Sequence, residues 1–389
     1  MMKGKIGIYV GEGISHSWTW FVDTFERRGY LNLTFPDEEG IKGRALDNLR
    51  FLAIGGGDGF AQAYGLGEEG AEKIKNFIQH GGICIGSCAG TYLFLHLEEY
   101  PLCLFSLCEA TAGNIVRELP PCDALPSKFS TPYGEKRYFL HPVREEVELQ
   151  MSPNLFAPYS RIVAPLYGGP PIEANHDVEV LATYHDFLPD TLFLTHRALA
   201  ERMMLGKVAI LRKKVERGFI YLFGPHFEEP HFPEANDFLC RIIEHHGRKP
   251  EIAHNRGRLL PPKDTKAILH PLKRYVSEAR IVALGMEGNP VIWTIGQKTY
   301  EPEKIRVFLD TVWPRIKVLE RDGMLEEETE IIKELSCRAS ELVHILLLLR
   351  KKLSLGEDTL DAAEGMFESL KKFTSLFLES YFKERSAKN

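Results

Sequence analysis

Apolar and polar positions alternate in short blocks through the first 246 residues, and the period of each block assigns its element. Lys5–Val10 places Ile6, Ile8 and Val10 two apart, which predicts a first strand ending at Gly11, not a secretory leader. Ser17–Arg28 changes to helical spacing around Phe21 and Phe25. Phe51–Ile54 is a second strand, closed by Gly55-Gly56-Gly57. Ala71, Ile74, Phe77 and Ile78 give a helix over Glu69–His80, stopped by Gly81-Gly82. Ile83–Ile85 is then a buried strand and Ala89–Leu97 a helix. This β-α-β-α order predicts an α/β domain with a mostly parallel, doubly wound sheet.

Between about residues 100 and 175 prolines interrupt the pattern, and long loops with short antiparallel strands are expected. Val178–Tyr184, Lys207–Leu211 and Gly218–Phe223 read as strands, the last two as a hairpin across the polar KKVER segment. Residues 247–263 are basic and proline-rich and read as a linker. Residues 264–389 then form a mainly α-helical domain, with a hairpin near Arg280–Thr299, around Gly285–Pro290, and a helix kinked or broken at Pro314. Leu335, Ala339, Leu342, Leu346 and Leu349 form one seam, and Met366, Leu370, Phe373 and Phe377 another. Steps of three and four describe helices that pack in a bundle or a dimer.

Composition narrows the classes. At 389 residues, with 44% hydrophobic and 26% charged residues, the chain suits two globular domains. A net charge of −6 argues against a nucleic-acid surface. No apolar run approaches the ~20 residues of a membrane span. Seven irregularly spaced cysteines, without a CxxC pair, suggest reduced thiols in a cytoplasmic protein.

One of these cysteines has a distinctive setting. In GGICIGSCAGTYLF, residues 81–94, a strand meets a helix through Gly86-Ser87-Cys88-Ala89-Gly90. Small residues flank a nucleophile at such an elbow because its backbone is strained, and the following helix N-terminus favours a thiolate. The competing reading, a buried small filler, is what most cysteines are. Cys84 is expected in strand core, and Cys240 and Cys337 at apolar helix positions. A nucleophile needs a base, and YLFGPHFEEP supplies His226 at the end of a strand, with Glu228 two residues on to orient it. A solvated loop histidine is the competing reading there. Backbone donors at Ala89 and at Gly56 or Gly57 would form an oxyanion hole. GGGDGF does not match a dinucleotide fingerprint, although a phosphate cradle is an alternative.

The stretches IGIYVGEGISHSW, IGGGDGFAQAYGLGEEGAEKIKNFIQHGGICIGSCAGTYLF, PLYGGPPIE and YLFGPHFEEP resemble the class I glutamine amidotransferase-like superfamily. Within it they are most similar to the amidotransferase-like domain at the N-terminus of biotin–protein ligases. The resemblance covers roughly residues 3–246. It implies a flavodoxin-like fold and a Cys88-His226-Glu228 triad, with Asp58, Tyr92, Gly168 and Gly169 lining the substrate pocket. Glutamine-using members carry glutamine four residues after the cysteine, where this chain has Tyr92; their histidine motif has proline where this chain has Phe227. Glu229 is a second candidate acid. The C-terminal part lacks a biotin-ligase adenylate loop, of which His254–Arg258 is a linker-like echo.

The leading expectation is a cysteine hydrolase or amidotransferase acting on a small amide or acyl substrate, with no cofactor and no metal. The second is a binding or regulatory module acting through its helical domain, with a protein partner or a second copy on the C-terminal helices. Metal chemistry through His226, His231 and a carboxylate ranks last, because the spacing follows no ligand pattern.

Overall fold

The computed structural model describes residues 5–113, 128–133, 137–153, 156, 158–247 and 259–388. Cys122, most of the 247–263 linker and His254–Arg258 lie outside the described residues. The chain divides into two compact units, one of residues 1–30 and 36–250, the other of residues 31–35 and 251–389. The first is mixed α/β and the second mainly helical.

In the first unit the strands used below are β1 (Lys5–Ile8), β2 (Leu49–Ile54), β3 (Ile83–Ser87), β4 (Val143–Met151), β5 (Arg161–Leu166), β6 (Glu179–Phe187), β7 (Val208–Val215) and β8 (Gly218–Phe223). The helices are α1 (Trp18–Arg27), α2 (Gly59–Gln79), α3 (Ala89–Phe94) and α4 (Pro233–His246). β1, β2, β3 and β8 pair side by side in parallel. From β8 the sheet continues antiparallel through β7, β6 and β4, and β5 pairs with β4. The parallel strands are apolar runs such as FLAI and ICIG, buried throughout, as strands covered on both faces must be.

The β7–β8 hairpin forms, but Lys213, Lys214 and Val215 belong to β7, and the turn is only Glu216-Arg217. The helix predicted over Glu69–His80 starts ten residues earlier, at Gly59. Asp58 caps it by accepting hydrogen bonds from the backbone N–H groups of Phe60 and Ala61 at 3.0 and 3.1 Å. Gly67 interrupts its helical dihedrals, which hid the first turns from a periodicity reading.

The second unit has helices α5 (Pro262–Leu284), α6 (Glu303–Asp322), α7 (Thr329–Ser354) and α8 (Leu360–Lys388). α5 packs on α6 and α7, and α8 packs on the same two helices, giving a four-helix bundle. The leucine seam of α7 and the Met366–Phe377 seam of α8 are buried inside it. Residues 31–35 join this unit through α8. Glu379 accepts from the Phe35 N–H at 3.1 Å and from Thr34 Oγ1 at 3.2 Å, and Ser386 Oγ donates to the Leu31 carbonyl at 2.8 Å.

Two expectations are corrected here and a third is narrowed. The hairpin is Trp293–Ile295 with Lys298–Tyr300, not around Gly285–Pro290, because α5 runs on to Leu284 and Gly285 ends it. Of the two forms expected at Pro314 the break does not occur: α6 continues through it as one helix, with Val312 and Ile316 buried in the core. Cys337 is exposed, since it lies off the apolar stripe of α7.

Leu346 is fully buried and Leu348 is 54% exposed on the same helix. Leu346→Ala should cost about 2–5 kcal/mol and Leu348→Ala within about 0.5 kcal/mol, read from urea unfolding of the full chain by helical circular dichroism. Equal costs would contradict the seam's placement.

Candidate active site

The site is built where parallel strands β3 and β8 end together. Ser87 is the register partner of Phe223, so the residues after each strand leave the sheet at the same edge. The Cys88 N–H donates to the Phe223 carbonyl at 2.9 Å, and Thr91 Oγ1 donates to the same oxygen at 2.6 Å. That ties the cysteine turn to the histidine loop.

Cys88 has φ 53° and ψ −109°, a conformation that costs a non-glycine residue about 1–3 kcal/mol. It stands before α3, which is only six residues long instead of reaching Leu97, so any dipole effect comes from little more than one turn. The two glycines of the turn are explained by close approach. A Cβ at Gly86 would stand 2.5 Å from the Gly90 carbonyl oxygen, and one at Gly90 would overlap the Ile54 carbonyl.

His226 and Glu228 are almost wholly buried, and Cys88 is 8% exposed. His226 Nδ1 and Glu228 Oε1 are 2.6 Å apart, and the Cys88 sulfur acts on the charge of the same ring. Ser87 Oγ lies 2.9 Å from both carboxylate oxygens of Glu228. The loop carrying these groups is clasped from several sides. His226 N–H donates to the Pro165 carbonyl at 2.8 Å, and Thr24 Oγ1 of α1 donates to the Glu228 carbonyl at 2.8 Å. The buried amide of Asn236 on α4 donates to the carbonyls of Phe227 and Glu229, each at 2.8 Å.

Glu229 is engaged elsewhere, 2.7 Å from Nδ1 of the exposed His231. Burial works against a charged imidazole at His226, but the Glu228 carboxylate and the Cys88 sulfur outweigh it and push its pKa up to about 10. Burial instead pushes the Cys108 and Cys240 thiols up to about 12. Cys84, wholly buried, is also raised, so none of these three is activated.

Gly56 lies against the cysteine and the histidine together: a Cβ there would stand 2.8 Å from His226 Cε1 and 3.3 Å from Cys88 Cβ. Gly57 is set slightly aside, bridged to Ile14. Among the described residues nothing accepts a hydrogen bond from the N–H groups of Gly56, Gly57 or Ala89. Tyr92 is buried; its hydroxyl donates to the Gly168 carbonyl at 3.2 Å and its ring lies 4.6 Å from that of Phe139. Gly169 abuts Gly224, and Asp58 is occupied as the cap of α2. Among the described residues no cluster of three or more His, Cys, Asp or Glu side chains is arranged to hold a metal ion.

Two site residues went unnamed in the sequence reading. The half-buried rings of Trp20 and Tyr167 lie 5.4 and 5.5 Å from the His226 ring, Trp20 edge-on. Arg144 stands over Tyr167 at 5.5 Å. Trp20 sits just beyond the ISHSW stretch and Tyr167 within PLYGGPPIE, so both segments carried a signal. A cavity of about 290 Å³ lies at the opposite end of β2, lined by Leu49, Arg50, Lys73, Phe77 and His80, away from Cys88.

No family model matches the chain, and no curated protein matches it. Solved structures are similar to part of it. A protein from Thermoplasma acidophilum, described as a putative GMP synthase subunit, is 13% identical over 62% of this chain and 94% of its own, with a TM-score of 0.39. A glutamine amidotransferase from Thermotoga maritima is 12% identical over 62% of this chain and 81% of its own, with a TM-score of 0.36. A β-galactosidase from Bacillus circulans sp. alkalophilus is 14% identical over 66% of this chain, TM-score 0.39, and this chain spans only 33% of its length. No activity passes to this chain from likeness at that level.

Because the His226 pKa is raised on folding, its stabilising contribution is full below the ordinary imidazole value near 6.5 and is lost as pH rises toward about 10. Glu228→Gln should lower the His226 pKa by about one unit or more, and so flatten that alkaline loss of stability. Imidazole proton chemical shifts followed across pH measure it, and an unchanged pKa would contradict the pairing.

Proposed function

We propose that the chain is a cysteine hydrolase or amidotransferase-like enzyme that cleaves an amide or related acyl bond. The observation that carries this reading is the continuous line from the Cys88 sulfur through His226 to Glu228 at a strained strand-to-helix turn. Cys88 Sγ attacks the acyl carbon, a C–S bond forms, and the carbonyl electron pair moves to oxygen. The N–H groups of Ala89 and of Gly56 or Gly57 are the donors for that oxygen. The imidazolium of His226 gives its proton to the leaving nitrogen as the C–N bond breaks. His226 then takes a proton from water, which attacks the thioester and frees Cys88. Glu228, not Glu229, is the acid assigned to hold the imidazole, because Glu229 is paired with His231.

Glutamine is not the favoured substrate. Tyr92 stands where glutamine-using relatives carry glutamine, and its hydroxyl is committed to the Gly168 carbonyl. Trp20 and Tyr167 are the groups placed to meet the substrate next to His226, and they favour a donor with an apolar or planar flank. A binding or regulatory module acting through the helical unit is the second reading. The exposed Ile281, Leu284, Leu348 and Leu355 of that unit favour it, with the α7 seam itself turned inward.

The test is burst kinetics with p-nitrophenyl acetate. One equivalent of nitrophenolate per chain is expected, absent in Cys88→Ala and slowed ~10²-fold or more in His226→Ala. A burst that survives Cys88→Ala, or no burst at all, would overturn the enzyme reading in favour of the second.

A further inference from the structure

Ser87 has no part in the proposed chemistry, yet it is 1% exposed and its hydroxyl sits astride the Glu228 carboxylate, 2.9 Å from each oxygen. A hydroxyl has a single proton, so it serves one oxygen at a time and can shift between them without moving. Glu228 is itself 1% exposed, and a carboxylate out of water is costly unless donors surround it. Among the described residues, the donors on its oxygens are the His226 ring, at 2.6 Å, and Ser87. Thr24 serves only the backbone carbonyl of Glu228.

We propose that Ser87 is a positioning residue for the relay: its hydroxyl holds the Glu228 carboxylate, so that the consecutive residues Ser87 and Cys88 grip the two ends of the His226–Glu228 pair. This rests on the catalytic reading of Cys88 given above. Ser87 closes β3 opposite Phe223, three residues before His226, and the positive φ of Cys88 turns the thiol onto the imidazole while Ser87 meets the acid behind it. During the reaction the ring passes between cation and neutral form. When it is neutral, the carboxylate loses its ionic partner and is held by two neutral donors, the imidazole N–H and the Ser87 hydroxyl.

The direction of the effect follows from charge. The Ser87 dipole points its positive end at Glu228 and so weakens the field that the carboxylate exerts on the ring. The titratable groups facing His226 are Cys88 and Glu228. Tyr167 packs on the ring and itself faces Glu145, Glu229 and Arg144; none of these is altered by changing Ser87.

In Ser87→Ala the His226 imidazole pKa should rise by about 0.5–1 unit, followed by its ring-proton chemical shifts, and Ser87→Thr, which keeps the hydroxyl, should restore it. The nitrophenolate burst should slow about tenfold in Ser87→Ala and recover in Ser87→Thr. An unchanged or lowered His226 pKa in a folded Ser87→Ala chain would overturn the proposal, as would a fall in melting temperature with no change in titration. The titration needs no turnover, so failure of the enzyme reading and failure of this role are separable: the first shows as no burst in the unaltered chain, the second as an unmoved pKa.

Discussion

A single backbone hydrogen bond, from the Cys88 N–H to the Phe223 carbonyl, joins the two segments on which the site depends. It extends the parallel pairing of β3 and β8 by one residue beyond their last register partners, Ser87 and Phe223. Because both strands run the same way, the cysteine turn and the histidine loop emerge at one edge of the sheet. A slip of one residue would exchange the faces of every side chain on the strand and part Cys88 from His226. The burial of ICIGS and IYLF against such a slip makes the register stiff.

The same constraint explains how unfavourable features persist. Cys88 carries backbone strain, and Glu228 and His226 are ionisable groups taken out of water. Removing one member of a buried pair usually costs about 3–5 kcal/mol, because the other is left uncompensated. Here each group has a fixed partner: Ser87 and His226 for Glu228, Cys88 and Glu228 for His226. α1 and α4 hold the loop from outside through Thr24 and Asn236. The strained turn is therefore over-determined by its surroundings, as such turns must be.

Much of this was legible in the sequence because it is written in local chemistry. Apolar runs ending in glycine marked β2 and β3, small residues marked the elbow, and GPHFEE marked a histidine after a strand. What required the structure was non-local. The role of Ser87 depends on a carboxylate 141 positions later, and the choice between Glu228 and Glu229 depends on which oxygen reaches which ring. Trp20 and Tyr167 meet His226 from distant segments without any spacing rule. Residues 31–35, read from sequence as part of the first domain, are held by α8 over three hundred positions away. The Trp293–Tyr300 hairpin was misplaced because short apolar patterns near helix ends do not fix their own boundaries, and Cys337 because it sits within α7 but beside its apolar stripe.

On the proposed reading, Cys88 alone among the described cysteines is poised as a nucleophile by His226. Alkylation with substoichiometric iodoacetamide near neutral pH, followed by mass mapping of the adduct, tests it most directly. Cys88 should be labelled ahead of the other six cysteines, including the exposed Cys103 and Cys337, and that preference should vanish in His226→Ala. Labelling that simply follows exposure, with Cys103 and Cys337 first and Cys88 indifferent to His226, would contradict the account.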